Sequence, residues 1–204
     1  MRKYDLGFIS DEDIYKHVKE TVARYSATID LASFNKNIID PIKLTFDAKV
    51  YGRTMEEVIA SECIRQMDKS NNNHIGYFHQ NLFRYAGNGW SVPAEGFDVV
   101  NEERHIFVEM KNKPNEMSKK IQRLILMRMF DKLIRDRKAI CYMVDFSATE
   151  KIEMPWMVKL DGYEYYDDRL RYCSIDKFYE IAFGVNDSYQ TLCNTLPLVV
   201  SEIN

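Results

Sequence analysis

The 204-residue chain predicts an α/β fold, a mixed central β-sheet flanked by helices, with an N-terminal helical region. Three observations carry this prediction. Apolar residues recur at helical spacing through much of residues 1–86, behind capping residues. Residues 97–111 alternate in the manner of a β-hairpin. A helical period over residues 117–137 is followed by the apolar run Ile140-Cys141-Tyr142-Met143-Val144, so the Lys111 strand, this helix and this run form a βαβ unit. No Gly/Ser- or Pro-rich tract divides the chain. A single domain over 1–204 is expected, with 1–86 mainly helical, 90–146 holding the hairpin and βαβ core, and 147–204 adding strands and helices.

Ser10 stands before Asp11-Glu12-Asp13, and Ile14, Val18, Val22 and Tyr25 follow at spacings of three to four, which predicts an amphipathic helix with acids at its positive end. His17 is expected on its surface. Residues 29–51 are mixed, with Phe34, Ile38, Ile39, Ile42 and Leu44 apolar and Pro41 stopping any helix that enters; no element is assigned there. Thr54-Met55-Glu56-Glu57 is a capping box, and the helix it opens carries Val58, Ile59, Cys63, Ile64 and Met67. Ser70-Asn71-Asn72-Asn73 is expected to break that helix, and Ile75, Phe78, Leu82, Phe83 and Tyr85 restart one that ends at Gly87, giving a helical hairpin. His74 and His79 fall on different sides of such a helix and are not expected to share a metal.

Gly87-Asn88-Gly89 is turn chemistry, and Trp90 to Val92 is read as a short strand. In the hairpin that follows, Asn101-Glu102-Glu103-Arg104 is the turn. Strand alternation sends Glu109 and Lys111 to one face with Phe107, and Ile106, Val108 and Met110 to the other. Pro114 ends the strand. The helix of 117–137 has Ile121, Leu124, Ile125, Met127, Leu133 and Ile134 as its apolar positions. Lys151–Leu160 is read as a further strand and Asp161-Gly162 as a turn. Ser174 is expected to cap a helix running to Gly184, and Pro197 to kink or end the last helix. Tyr163, Tyr165, Tyr166 and Tyr172, among Arg169 and Arg171, suit either base stacking or packing in the core or a dimer.

Composition excludes several classes. The four cysteines are far apart and have no zinc spacing, so they are read as reduced thiols. No apolar signal core follows Met1, and no run is long enough to span a bilayer. A soluble, cytoplasmic protein with no membrane partner is expected. Net charge is −3, yet residues 116–138 carry eight basic against three acidic side chains. Lys113, Lys119, Lys120, Arg123 and Arg128 are the candidate DNA contacts, the alternative being an ordinary solvated helix face.

Asp98, ten residues, then Glu109-Met110-Lys111 is the pattern that carries chemistry. Across a hairpin Asp98 comes near Glu109, and two adjacent carboxylates repel unless a hard cation such as Mg²⁺ lies between them. A cation so held neutralises charge on a phosphodiester and acidifies water, and Lys111 would stand beside it. Glu62 is either a third carboxylate for that site or a partner of Arg65 on its own helix.

Phe97-Asp98 with Val108-Glu109-Met110-Lys111, the helices before and the αβ unit after resemble the PD-(D/E)XK nuclease core, the restriction-endonuclease-like fold. Asp5-Leu6-Gly7-Phe8-Ile9-Ser10-Asp11, Asn35-Lys36-Asn37-Ile38-Ile39-Asp40-Pro41-Ile42-Lys43, His74-Ile75-Gly76-Tyr77-Phe78-His79-Gln80-Asn81 and Gly96-Phe97-Asp98-Val99-Val100 resemble a family of small type II restriction endonucleases that cut GGNCC-type sites. The resemblance runs over nearly the whole chain and is strongest up to Asn112. It implies a Mg²⁺-dependent homodimer that breaks both strands of double-stranded DNA at a short palindrome. Asp98, Glu109 and Lys111 match the catalytic positions, Asp98 and Glu109 the metal ligands, and Glu62 an upstream acidic position. Phe97 stands where the usual motif has Pro, and Pro93 is displaced. The alternatives are a structure-specific nuclease of the same fold, a non-catalytic DNA-binding module, or an α/β domain whose hairpin charges are surface decoration.

Overall fold

The computed structural model describes residues 3–25 and 40–203. The chain divides into two compact units, residues 1–19 with 78–204, and residues 20–77. Of the resembling segment at 35–43, residues 35–39 lie outside the described residues, as do Phe34, Ile38 and Ile39 of the unassigned stretch.

The larger unit is built on a six-stranded mixed sheet in the order β1 (Trp90–Ser91), β2 (Val99–Asn101), β3 (Ile106–Lys111), β4 (Ile140–Asp145), β8 (Leu170–Ser174) and β5 (Glu153–Pro155). β1, β2 and β3 run antiparallel, β3, β4 and β8 parallel, and β5 returns antiparallel to β8. The expected βαβ unit is present, with α4 (Lys119–Arg135) carrying the chain from β3 to β4. Lys151–Leu160 is not one strand. It supplies β5 to the main sheet and then β6 (Val158–Leu160), which pairs with β7 (Tyr163–Tyr165) through the Asp161-Gly162 turn, where both residues have positive φ.

The hairpin turn forms because the Asn101 side chain accepts the Arg104 N–H at 2.9 Å, an Asx-type closure. Alternation along β3 then works as expected. Phe107 joins a core under α4 with Ile125, Leu126, Met129, Leu133, Cys141, Met143 and Leu170. Val108 and Met110, on the opposite face, are also buried. Below that face Phe83, Trp90, Tyr142, Phe178 and Tyr179 pack with ring centroids 4.9–6.0 Å apart, the offset and edge-on geometry that aromatic quadrupoles favour. Phe178 and Tyr179 come from α5 (Ile175–Phe183), which Gly184 closes in the left-handed conformation.

Helix α4 differs from its sequence reading. Its buried stripe is Ile125, Leu126, Met129 and Leu133, whereas Ile121, Leu124, Met127 and Ile134 are 47%, 55%, 63% and 77% exposed. The helix carries apolar residues on two faces, and only one can lie on the sheet. His17 also differs. It is buried on α1 (Asp11–Val22), its Nε2 2.9 Å from the Phe78 carbonyl and its ring against Phe78. The expected cap of that helix is present, Ser10 Oγ accepting the Asp13 N–H at 3.1 Å. α6 (Ser188–Ile203) continues through Pro197 rather than ending there.

In the smaller unit, Asp40 caps α2 (Pro41–Val50) by accepting the Ile42 N–H, and Pro41 occupies the first turn, where a missing N–H costs nothing. The capping box forms reciprocally, Thr54 Oγ1 accepting from Glu57 N and Glu57 Oε2 from Thr54 N. The helix it opens, α3 (Met55–Leu82), is continuous, and the expected break at Ser70–Asn73 does not occur. Asn72 donates to Asp68 one turn back at 3.0 Å, so the polar run supports the helix.

Candidate active site

Asp98 stands at the start of β2, its backbone N–H bonded to the Val108 carbonyl on β3. One step further along, its carboxylate takes over from the backbone, since Oδ2 accepts the Met110 N–H at 2.7 Å. The Asp98 side chain thereby substitutes for a strand partner at the end of the hairpin. This pins it beside Glu109, the residue before Met110.

Glu109 is buried, with 2% of its side chain exposed. Lys111, two residues on and so on the same face, holds both acids, its Nζ 3.0 Å from Asp98 Oδ2 and 3.4 Å from Glu109 Oε2. That face looks toward α4, and Arg128 from the middle of that helix donates to Glu109 Oε1 and, at 2.5 Å, to the Gly96 carbonyl. Burial pushes the Glu109 carboxyl above the usual carboxylate range. The Asp98 charge adds to this, while Lys111 and Arg128 pull the other way. A carboxylate kept dry next to a like charge is a place where a further cation gains energy.

The donor set fits a hard divalent ion such as Mg²⁺, two carboxylates and no sulfur or imidazole. Among the described residues no group of three or more acidic, His or Cys side chains is arranged to hold a metal. Two protein carboxylates would leave most of a Mg²⁺ coordination shell to water and substrate oxygens, as that ion prefers.

The sequence-predicted residues separate into groups. Asp98, Glu109 and Lys111 come together as expected. Arg128, read as a DNA contact, touches Glu109 directly. Arg123 is paired with Asp161, and Lys113, with positive φ, with Glu116 at 3.2 Å. Lys119 and Lys120 are exposed in the first turn of α4, behind the Ser118 cap, and have no ion pair among the described residues. Cations at the positive end of a helix oppose its dipole, and an anion there would relieve both. Glu62 belongs to the smaller unit. It is held by Arg65 Nε at 2.7 Å and Gln66 at 3.2 Å, which keep its carboxyl below the usual range against its burial, and it lines a pocket with Lys43, Tyr51 and Arg53.

Sequence reasoning missed Asp145. It ends β4 in register with Lys111 and is 4% exposed. Tyr172 Oη donates to it at 2.6 Å, and Ser147 donates from both N and Oγ at 2.7 Å. An acid closing an apolar strand was the available signal. Tyr172 thus serves Asp145 and the core, not stacking, whereas Tyr163 and Tyr166 are exposed.

A mixed sheet in which an antiparallel strand brings an Asp to a Glu-x-Lys on the adjoining, parallel-paired strand defines a restriction-endonuclease-like fold. The family model for the Eco47II restriction endonuclease matches residues 6–204, and the chain belongs to that family. It is a site-specific endonuclease, hence a hydrolase. The type II restriction enzyme Sau96I of Staphylococcus aureus is 27% identical over 209 residues, covering 97% of this chain and 80% of the relative. The type II restriction enzyme Eco47II of Escherichia coli is 38% identical over 112 residues, 53% of this chain and 46% of the relative. No solved structure matches the chain. Among the described residues no helix is long and apolar enough to cross a membrane.

Proposed function

We propose that the chain is a Mg²⁺-dependent, cytoplasmic type II enzyme that cuts double-stranded DNA at a GGNCC-type palindrome, with Asp98, Glu109 and Lys111 as its catalytic residues. The observation that carries this is one ammonium, Lys111 Nζ, held 3.0 Å and 3.4 Å from two adjacent carboxylates at the end of a hairpin. The type II assignment is supported by similarity to the type II restriction enzymes Sau96I and Eco47II, and the GGNCC-type site by the family resemblance of residues 5–11, 35–43, 74–81 and 96–100.

Asp98 and Glu109 would hold the ion. What Mg²⁺ supplies when bound is neutralisation of phosphate charge and acidification of water. The rest falls to the chain. Lys111, held by both acids yet 30% exposed, can donate to a phosphate oxygen and orient the attacking water. Asp98 keeps its orientation because Met110 N fixes one of its oxygens. Lys119 and Lys120 supply phosphate contacts at a helix N-terminus; Lys113 and Arg123 have surface ion-pair partners to exchange for phosphates. Glu62 enters the proposal as the upstream acid, and full cleavage by Glu62→Gln would remove it.

Cutting both strands of a palindrome calls for two equivalent sites, and a two-fold homodimer of one-site chains supplies them. All of 1–204 is proposed to act as one nuclease domain. The test is incubation of plasmid DNA with the purified protein in Mg²⁺ and in EDTA, alongside Glu109→Ala. Discrete fragments from the wild type in Mg²⁺ alone, and none from Glu109→Ala, are expected. Cleavage by Glu109→Ala at the wild-type rate would refute the site.

A further inference from the structure

We propose that Arg128 is a resident counter-cation of the metal site, holding Glu109 in the metal-free enzyme, giving it up to the divalent ion, and then taking a DNA phosphate. This rests on the site proposed above and goes beyond a general role in DNA contact.

Both oxygens of the buried Glu109 carboxylate are engaged, Oε1 by Arg128 and Oε2 by Lys111. The two cations are not equivalent. Lys111 is the more enclosed, and its ammonium is shared with Asp98, so it stays within the site whichever oxygen it uses. Arg128 has no hydrogen bond or ion pair with Asp98 among the described residues. Its side chain is 41% exposed, and its second anchor is the Gly96 carbonyl, with the guanidinium 6.0 Å from the centre of the Phe97 ring. That anchor lies outside the carboxylate pair, in the loop leading into Asp98.

A divalent ion on Asp98 and Glu109 would meet the guanidinium on the same carboxylate. Like charges so close on one carboxylate cannot both stay without loss, and the more exposed cation, bonded to only one of the two carboxylates, is the one able to leave. From Gly96 the guanidinium can swing outward with its donors free. A planar five-donor fork matches phosphate geometry. Arg128 shares α4 with Lys119 and Lys120, two turns or more toward the positive end. Metal loading would therefore release a phosphate ligand, and the two binding events would favour each other.

The test is calorimetric titration of the full chain with Ca²⁺, without DNA, for wild type, Arg128→Met, Glu109→Gln and Arg135→Met. Arg135 is on the same helix, paired with Asp131 and 76% exposed, so it controls for the loss of one helix charge. Arg128→Met is expected to tighten Ca²⁺ binding by on the order of tenfold. Arg135→Met should match wild type, and Glu109→Gln should lose the site. A merely structural role for Arg128 would weaken Ca²⁺ binding instead. With Ca²⁺ present, Arg128→Met should bind duplex DNA more weakly, with a salt slope lower by about one. An unchanged or weakened Ca²⁺ affinity in Arg128→Met, with wild type binding and Glu109→Gln not, overturns the Arg128 proposal alone. Equal Ca²⁺ binding by wild type and Glu109→Gln overturns the site and this inference with it. Arg128→Gln gives the same readout should the Met variant not fold.

Discussion

Asp98 is expected to have two separable duties, and two substitutions tell them apart. Its Oδ2 accepts from Met110 N at 2.7 Å and from Lys111 Nζ at 3.0 Å, and Met110 is 2% exposed. Asp98→Ala leaves a buried backbone N–H with no acceptor, a loss of about 1–3 kcal/mol. Lys111 still has Glu109 at 3.4 Å, so its share of the loss is small. Asp98→Asn keeps an oxygen in reach of Met110 N and gives up the charge paired with Lys111, so it should cost less than Asp98→Ala. Both variants lose a proposed metal ligand. Metal assistance is worth several kcal/mol at the transition state, so cleavage should fall by on the order of 10³-fold or more in each. Urea unfolding in EDTA measures the first quantity and timed plasmid cleavage the second. Equal stability of the two variants would refute the backbone role of Asp98, and wild-type cleavage by Asp98→Asn would refute the metal role.

Two further predictions concern pH. The Glu109 carboxyl is raised in the folded state by burial and by Asp98, so its contribution to stability is present below the unfolded value of about 4.3 and is lost as pH rises through the folded value. Glu109→Gln, which cannot ionise, should therefore be more stable relative to wild type at pH 7 than at pH 4, as read by denaturant midpoints; a pH-independent difference contradicts this. His79, bonded through Nδ1 to Tyr179 Oη at 2.8 Å, is pushed down to about 4 by burial, with His17 adding to it. The unfolded chain then binds the extra proton, and stability should fall as pH drops from about 6.5 toward 4. His79→Gln should flatten that slope, and an unchanged slope would place the acid sensitivity elsewhere.

The parts of the fold that could be read in advance were those fixed by local chemistry. The capping box at Thr54 and Glu57 and the Ser10 cap need only neighbours in sequence, and the alternation that brings Glu109 and Lys111 together needs only a strand. What could not be read depends on which of two good options the tertiary structure takes. Three asparagines after Ser70 look like a loop, yet with no Gly or Pro among them the helical cost is small and α3 continues. Apolar residues surround much of α4, and only packing decides that Leu126 and Met129 are inside while Leu124 and Met127 are outside. The contact of Arg128 with Glu109 joins residues 19 apart in sequence, from β3 to the middle of α4. No local pattern announces it. His17 reads as a surface polar group and is buried because the Phe78 carbonyl lies within hydrogen-bond reach.

The central claim, that this carboxylate pair and lysine cut DNA at a defined palindrome, is tested most directly by sequencing the ends produced from a plasmid in Mg²⁺ by wild type and by Lys111→Met. Ends that all fall at GGNCC-type sites with the wild type, and no ends above background with Lys111→Met, are the predicted result. Cleavage that persists in Lys111→Met, or wild-type ends sharing no common sequence, would contradict it.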